Sequence, residues 1–186
     1  MKMKKYCISD PFFYTSNPTQ FIEKLLHVKT LHEPDFICLR DKKTADYTSL
    51  VQALFAMRAS FEGTKLYLHT DFLLASKMGF TGVHLPSYLI EDIRSAKALN
   101  LEVVFSAHSL EDALRAQDLG ADAITISPIF ETPNKGKPLG LEKLKEINDK
   151  ISIKCFALGG IINDAQVRAC EESGVYGFAS IRYFVD

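Results

Sequence analysis

The chain has 186 residues, which at about 150 residues per domain leaves room for one ordinary globular domain and not for two. Apolar residues make up 47% of it and charged residues 24%, a balance that sets aside disorder, collagen and coiled coil. The formal net charge is -1, so no broad field draws the chain to nucleic acid or anionic lipid, and a small-molecule partner is expected.

The chain opens on the basic stretch Met1-Lys2-Met3-Lys4-Lys5. The apolar run that follows breaks at Asp10-Pro11, too soon for a signal-peptide core or a membrane span. Cys7, Cys38, Cys155 and Cys170 show no C-x-x-C spacing and fit buried thiols of a reducing compartment. A cytoplasmic protein is expected.

Short β-branched or aromatic runs alternate with longer amphipathic ones along the whole chain. Strands are predicted at 5–9, 35–40, 65–69, 82–85, 101–106, 123–127, 153–158 and 175–180, each but the last followed by a helical pattern. Asn17-Pro18 opens the first of these helices, Ser109 and Asn163 cap the fifth and the seventh, and Asn100 and Gly120 close the fourth and the fifth, as capping chemistry requires. The repeat of about 24 residues fits one strand, one helix and two tight connections.

Eight βα units close most simply into a (β/α)8 TIM barrel, here a compact single domain over residues 1–186, because closure leaves no unpaired strand edge. An open doubly wound sheet is the alternative, but no G-x-G-x-x-G follows the first strand. With the sequence stopping at Asp186, the last helix is expected to be missing or vestigial. One outer groove is then left for a partner subunit, and a homo-oligomer is expected.

Period-two alternation assigns the faces of the strands. Ile37 and Leu39 oppose Cys38, Arg40 and Lys42. Leu66 and Leu68 oppose Tyr67, His69 and Asp71. Val103 and Phe105 oppose Val104, Ser106 and His108, and Ile124 and Ile126 oppose Thr125 and Ser127. Helices cover the outside, so the polar sets point inward and gather at the carboxyl ends of the strands. Arg40 and Lys42 there suit a phosphate or diphosphate, one as a planar fork and the other as a point charge. His69 and His108 are either hydrogen-bonded structural residues or proton-transfer groups, and His84 is read as structural. After the seventh strand, Gly159-Gly160-Ile161 precedes a capped helix, and after the eighth come Ile181 and Arg182; barrels commonly bind phosphate at these two loops. The long loop 130–140 carries Thr132, Asn134 and Lys135 and is expected to act as a flap over the mouth.

These motifs together resemble the thiamine phosphate synthase family and its relative, the thiazole tautomerase known as TenI. The likeness runs from residue 35 to 184. Ile37-Cys38-Leu39-Arg40-Asp41-Lys42 is similar to V-Q-L-R-x-K, Gly82-Val83-His84-Leu85 to G-V-H-L, and Phe105-Ser106-Ala107-His108 to the family's strand-five serine motif. Ser127-Pro128-Ile129-Phe130-Glu131-Thr132-Pro133-Asn134-Lys135 is similar to P-I-F-x-T-x-T-K, and Ala157-Leu158-Gly159-Gly160-Ile161 to A-I-G-G-I. The resemblance implies a transferase of thiamine biosynthesis that joins hydroxymethylpyrimidine diphosphate to thiazole phosphate and releases diphosphate. By it Arg40, Lys42, Ser106 and Lys135 hold the diphosphate. Cys38, His69, His108, Thr132 and Asn134 line the substrate pocket, and Gly159, Gly160, Ile161, Ile181 and Arg182 cradle the thiazole phosphate.

The resemblance also implies Mg2+, but the two metal aspartates fall on Thr70 and Leu89, with Asp71 the nearest replacement carboxylate. The family's pyrimidine-binding glutamine falls on Cys38, its second flap threonine on Asn134, and the tautomerase's histidine on Ser127 or Pro128. Two further activities therefore stand beside the synthase: a TenI-like tautomerase, and a non-catalytic binder of thiamine phosphate or a precursor.

Overall fold

The computed structural model describes residues 2–185. β1 (Lys4–Ile8) leads through α1 (Pro11–Tyr14) and α2 (Pro18–His32) to β2 (Phe36–Leu39), α3 (Tyr47–Ala56) and β3 (Lys65–His69). Then follow α4 (Phe72–Met78), β4 (Gly82–Leu85), α5 (Asp92–Ala98), β5 (Glu102–Ala107), α6 (Leu110–Asp118) and β6 (Ala123–Ile126). The chain continues through α7 (Gly140–Lys150), β7 (Lys154–Leu158), α8 (Asp164–Glu172) and β8 (Gly177–Ser180). Every strand pairs parallel with the next, and β8 pairs with β1 through Lys4–Gly177 to Cys7–Ser180, so the sheet is a closed barrel. The predicted barrel is the observed one, with β3 and β4 as expected and the other strand ends shifted by at most two residues.

The period-two pattern separates two apolar layers. Tyr6, Cys38, Tyr67, Val104, Phe156 and Ala179 form one cluster inside the barrel. Ile37, Leu39, Leu66, Leu68, Val103 and Phe105 join a larger cluster beneath the helices. Burial of this second layer is what holds the helices against the barrel, since each fully buried aliphatic or aromatic side chain contributes roughly 1.5–3 kcal/mol.

The helix starts follow the caps. Asn17 accepts from the Gln20 amide, Ser109 from Asp112 and Asn163 from Gln166, while Asp10, Asp46 and Asp71 cap α1, α3 and α4. Asn100 and Gly120 close α5 and α6 in the left-handed region at φ 60° and 96°. Among the described residues no α-helix follows β8; a single 3-10 turn, Arg182–Phe184, takes its place. A groove of about 570 Å3 lies beside it on the outer flank, lined by Phe13, Tyr14, Gln20, His27 and Phe184. No described helix is long and apolar enough to cross a membrane.

Candidate active site

The carboxyl ends of the strands form one rim, and the loop after β1 is stitched to the loop after β2. The Arg40 amide donates to Ser9 Oγ at 2.9 Å, and the Ser9 hydroxyl donates to the Arg40 carbonyl at 3.2 Å. Asp10 receives the Phe12 amide on one carboxylate oxygen and Arg40 Nη1 on the other, at 2.8 Å. The guanidinium is thereby held at the mouth by the residue that also caps α1. Asp41 turns away and accepts from Ser16 and from the Lys43 and Thr44 amides.

Lys42 follows Arg40 in the loop after β2, and Lys135 lies in the loop after β6. The Lys42 ammonium is held below its ordinary value, first by partial desolvation and then by these two neighbouring cations. Cations that disfavour the charge on Lys42 favour an anion that would neutralise them.

Two histidines line the wall below. His69 Nδ1 lies 2.7 Å from Thr70 Oγ1, and its ring centroid lies 5.9 Å from that of His84. Burial, then His84, Arg40 and Lys42, push His69 down to about 2; burial, then Arg40 and Lys42, push His84 down to about 3. Both rings are therefore neutral over the working pH range. His84 is bonded on both sides, Nδ1 to Tyr6 Oη at 3.0 Å and Nε2 to Ser106 Oγ at 2.9 Å. The structural role predicted for His84 thus includes direct contact with a predicted site residue.

Cys38 departs from the expected substrate contact. Its side chain is fully buried within the barrel, in one cluster with Tyr6. Burial pushes its thiol up to about 12, so it is a neutral interior group rather than a lining one. His108 is exposed, and its Nδ1 lies 2.9 Å from the Ser127 carbonyl. Because a carbonyl only accepts, Nδ1 carries the proton and Nε2 is the basic nitrogen of the neutral ring.

The loop after β6 is pinned at its base. The Ile129 amide donates to Leu158 O and the Phe130 amide to Gly159 O, both at 3.0 Å. The Leu139 amide donates to Pro128 O at 2.8 Å. Thr132 Oγ1 donates to Phe130 O, Asn134 sits at φ 60°, and Lys135 projects from the exposed tip. Gly159 and Gly160, at φ 100° and 72°, are needed for this pinning. A Cβ on Gly159 would lie 2.8 Å from Pro128 Cα, and one on Gly160 would lie 2.5 Å from Glu131 O. Among the described residues the Gly160 and Ile161 amides donate to no protein acceptor. Ser180 Oγ donates to the buried Ile161 carbonyl at 2.7 Å. The Ile181 carbonyl accepts from Tyr14 Oη at 3.0 Å, and Arg182 begins the 3-10 turn beside it.

The residues present do not fit a divalent metal. Thr70 offers a hydroxyl engaged with His69 at φ 73°, and Leu89 is packed against the outer core. Asp71 is exposed and caps α4 by accepting the Leu74 amide at 2.8 Å. Among the described residues no group of three His, Cys, Asp or Glu is placed to hold a cation, and a Mg2+ shared with substrate phosphates still needs one or two carboxylates, which positions 70 and 89 do not supply.

Comparison with known proteins points the same way as the rim. The profile of a family described as thiamine monophosphate synthase matches residues 6–184. A putative thiamine-phosphate synthase 2 from Aquifex aeolicus is 35% identical over 97% of both chains. A thiamine-phosphate synthase from Desulfitobacterium hafniense is 31% identical over 77% of this chain and 72% of its own. Among solved structures, a thiamine phosphate pyrophosphorylase from Pyrococcus furiosus superposes with a TM-score of 0.78 at 27% identity, covering 96% of this chain and 85% of that one. With the matched barrel, motif order and rim in agreement, the chain belongs to the thiamine monophosphate synthase family.

Proposed function

We propose that the mouth binds a diphosphate ester of a pyrimidine and transfers its methylene carbon to the ring nitrogen of a thiazole phosphate. The observation that supports this is that Arg40, fixed at the rim by Asp10, and Lys135 both act electrostatically on the Lys42 ammonium, which partial burial and then these two cations hold below its ordinary value. The bond from the methylene carbon to the diphosphate oxygen breaks, and both its electrons leave with diphosphate. The thiazole nitrogen lone pair then forms the new carbon–nitrogen bond. No proton has to move in either event, so the work lies in positioning the two substrates and in stabilising charge on the leaving group. Arg40, Lys42, Lys135 and the Ser106 hydroxyl supply that stabilisation. His69 and the flap residues Thr132 and Asn134 enclose the ring.

The phosphate of the second substrate is assigned to the Gly160 and Ile161 amides with Arg182, next to Gly159 and Ile181. The test is formation of thiamine phosphate from the two substrates, assayed with and without Mg2+. Product above background supports the synthase, and none in either condition refutes it.

A second activity is favoured by one observation, the fixed tautomer of His108 with its basic Nε2. Such a nitrogen suits proton abstraction from a phosphorylated thiazole. If His108→Ala leaves turnover of a thiazole carboxylate phosphate unchanged, this activity is excluded.

A further inference from the structure

Inside the barrel, three side chains from three different strands form one continuous hydrogen-bonded chain, Tyr6 on β1, His84 on β4 and Ser106 on β5, with Cys38 on β2 in the same buried cluster. Tyr6 and Cys38 are fully buried, and His84 is 2% exposed. The Tyr6 ring is held at centroid distances of 5.4–6.0 Å by Phe36, Tyr67, His84 and Phe156. The chain emerges at Ser106, which is only partly buried.

A neutral imidazole has one N–H, so the chain can run in only two directions. The far end decides between them. If the Nδ1–H of His84 donated to Tyr6, the phenol proton would have only the Cys38 sulfur, a weak acceptor. In the opposite direction the phenol O–H, a strong donor, meets the strongly accepting Nδ1. Nε2–H then donates to Ser106 Oγ, and the serine hydroxyl proton is left for the mouth.

We propose that Tyr6 and His84 are positioning residues that fix the direction of this chain so that Ser106 presents its O–H to a bound oxyanion. Among the three cations at the rim, Ser106 is thus an oriented neutral donor rather than an acceptor that would repel phosphate oxygens. Because burial keeps His84 and Tyr6 neutral, the direction is set by donor strength and does not switch with pH. The recipient of the hydroxyl rests on the proposed function; the direction of the chain does not.

Nitrogen-15 NMR of the imidazole rings in the intact protein tests the direction. His84 should show a bare, imine-type Nδ1 and a protonated, pyrrole-type Nε2, and Cys38→Ser should keep that pattern. A protonated Nδ1 in the wild-type protein overturns the proposal without recourse to any variant. Calorimetry with inorganic pyrophosphate tests the recipient. Ser106→Ala should weaken binding by about 100-fold, the scale of a lost oxyanion donor, and Tyr6→Phe by about 10-fold, the scale of a lost supporting hydrogen bond. In the Ser106→Ala background, Tyr6→Phe should add no more than about twofold, because neighbouring groups acting through one contact are not additive. Pyrophosphate affinity indifferent to Ser106 overturns the proposal even if the tautomer is as expected. Ser106-dependent pyrophosphate binding without thiamine phosphate formation sinks the synthase alone.

Discussion

Replacing Gly160 by alanine separates two roles a paired glycine can play at a phosphate loop. Gly160 has φ 72°, and a Cβ there would sit 2.5 Å from Glu131 O and 2.8 Å from Phe130 Cβ. Gly63 has nearly the same φ, 80°, with nothing within 4 Å of the added atom, so Gly63→Ala isolates the backbone penalty. That penalty is about 1–2 kcal/mol. Overpacking at Gly160 adds about 1–3 kcal/mol, for a total of about 2–5 kcal/mol. At about 2–4 °C per kcal/mol for a chain of this size, Gly160→Ala should lower the melting temperature by roughly 5–15 °C, clearly more than Gly63→Ala. Relief of the clash moves the base of the loop that carries Lys135, so pyrophosphate affinity should fall with Gly160→Ala and hold with Gly63→Ala. Thermal unfolding and calorimetry on the two variants check both statements. Equal destabilisation of the two, with affinity unchanged in both, would refute the inference that Gly160 exists to admit the β6 loop.

The buried histidines make stability depend on acid. His69 and His84 are depressed to about 2 and about 3 from an ordinary 6.5, so below pH 6.5 the unfolded chain binds protons that the folded one refuses. Their contribution is complete above about pH 6.5 and is lost as pH falls toward 3, at about 1.4 kcal/mol per pH unit for each ring. Urea unfolding at pH 7 and pH 5 should show the loss, and His69→Gln should remove one proton from the slope. Because Thr70 and Leu89 provide no carboxylate, pyrophosphate binding should not tighten on adding Mg2+ after EDTA treatment; tighter binding would show a metal site that these side chains do not explain. Lys135→Gln should weaken pyrophosphate by about 10-fold, the scale of one charge-assisted contact, while leaving the melting temperature within a degree or two, since its side chain is on an exposed loop tip.

The barrel and the inward polar faces were legible because they follow from local periodicity alone. Cys38, Tyr67 and Val104 are inside and Ile37, Leu66 and Val103 outside, as alternation demands once helices cover the outer wall. What sequence could not supply was the register between strands. Tyr6 and His84 are 78 residues apart and meet across the barrel, and His84 meets Ser106 only because β4 and β5 pair Leu85 with Phe105. Asp10 was missed for the same reason, since its partner Arg40 lies on the neighbouring strand's loop. The glycine pair was visible, but its neighbours were not. The space beside Gly159 and Gly160 is filled by Pro128 and by the backbone of Phe130 and Glu131, a contact that spacing does not encode. Cys38 shows the limit of motif matching, because a small thiol in place of a long amide withdraws into the core.

The central claim, that cations from two separate loops converge on one anion, is tested most directly by the NMR titration of the Lys42 ammonium. If Lys135 lies beside it, Lys135→Gln must raise the Lys42 midpoint toward its ordinary value, and pyrophosphate must raise it in the wild-type protein as well. A Lys42 midpoint that ignores both the substitution and the anion would contradict the account.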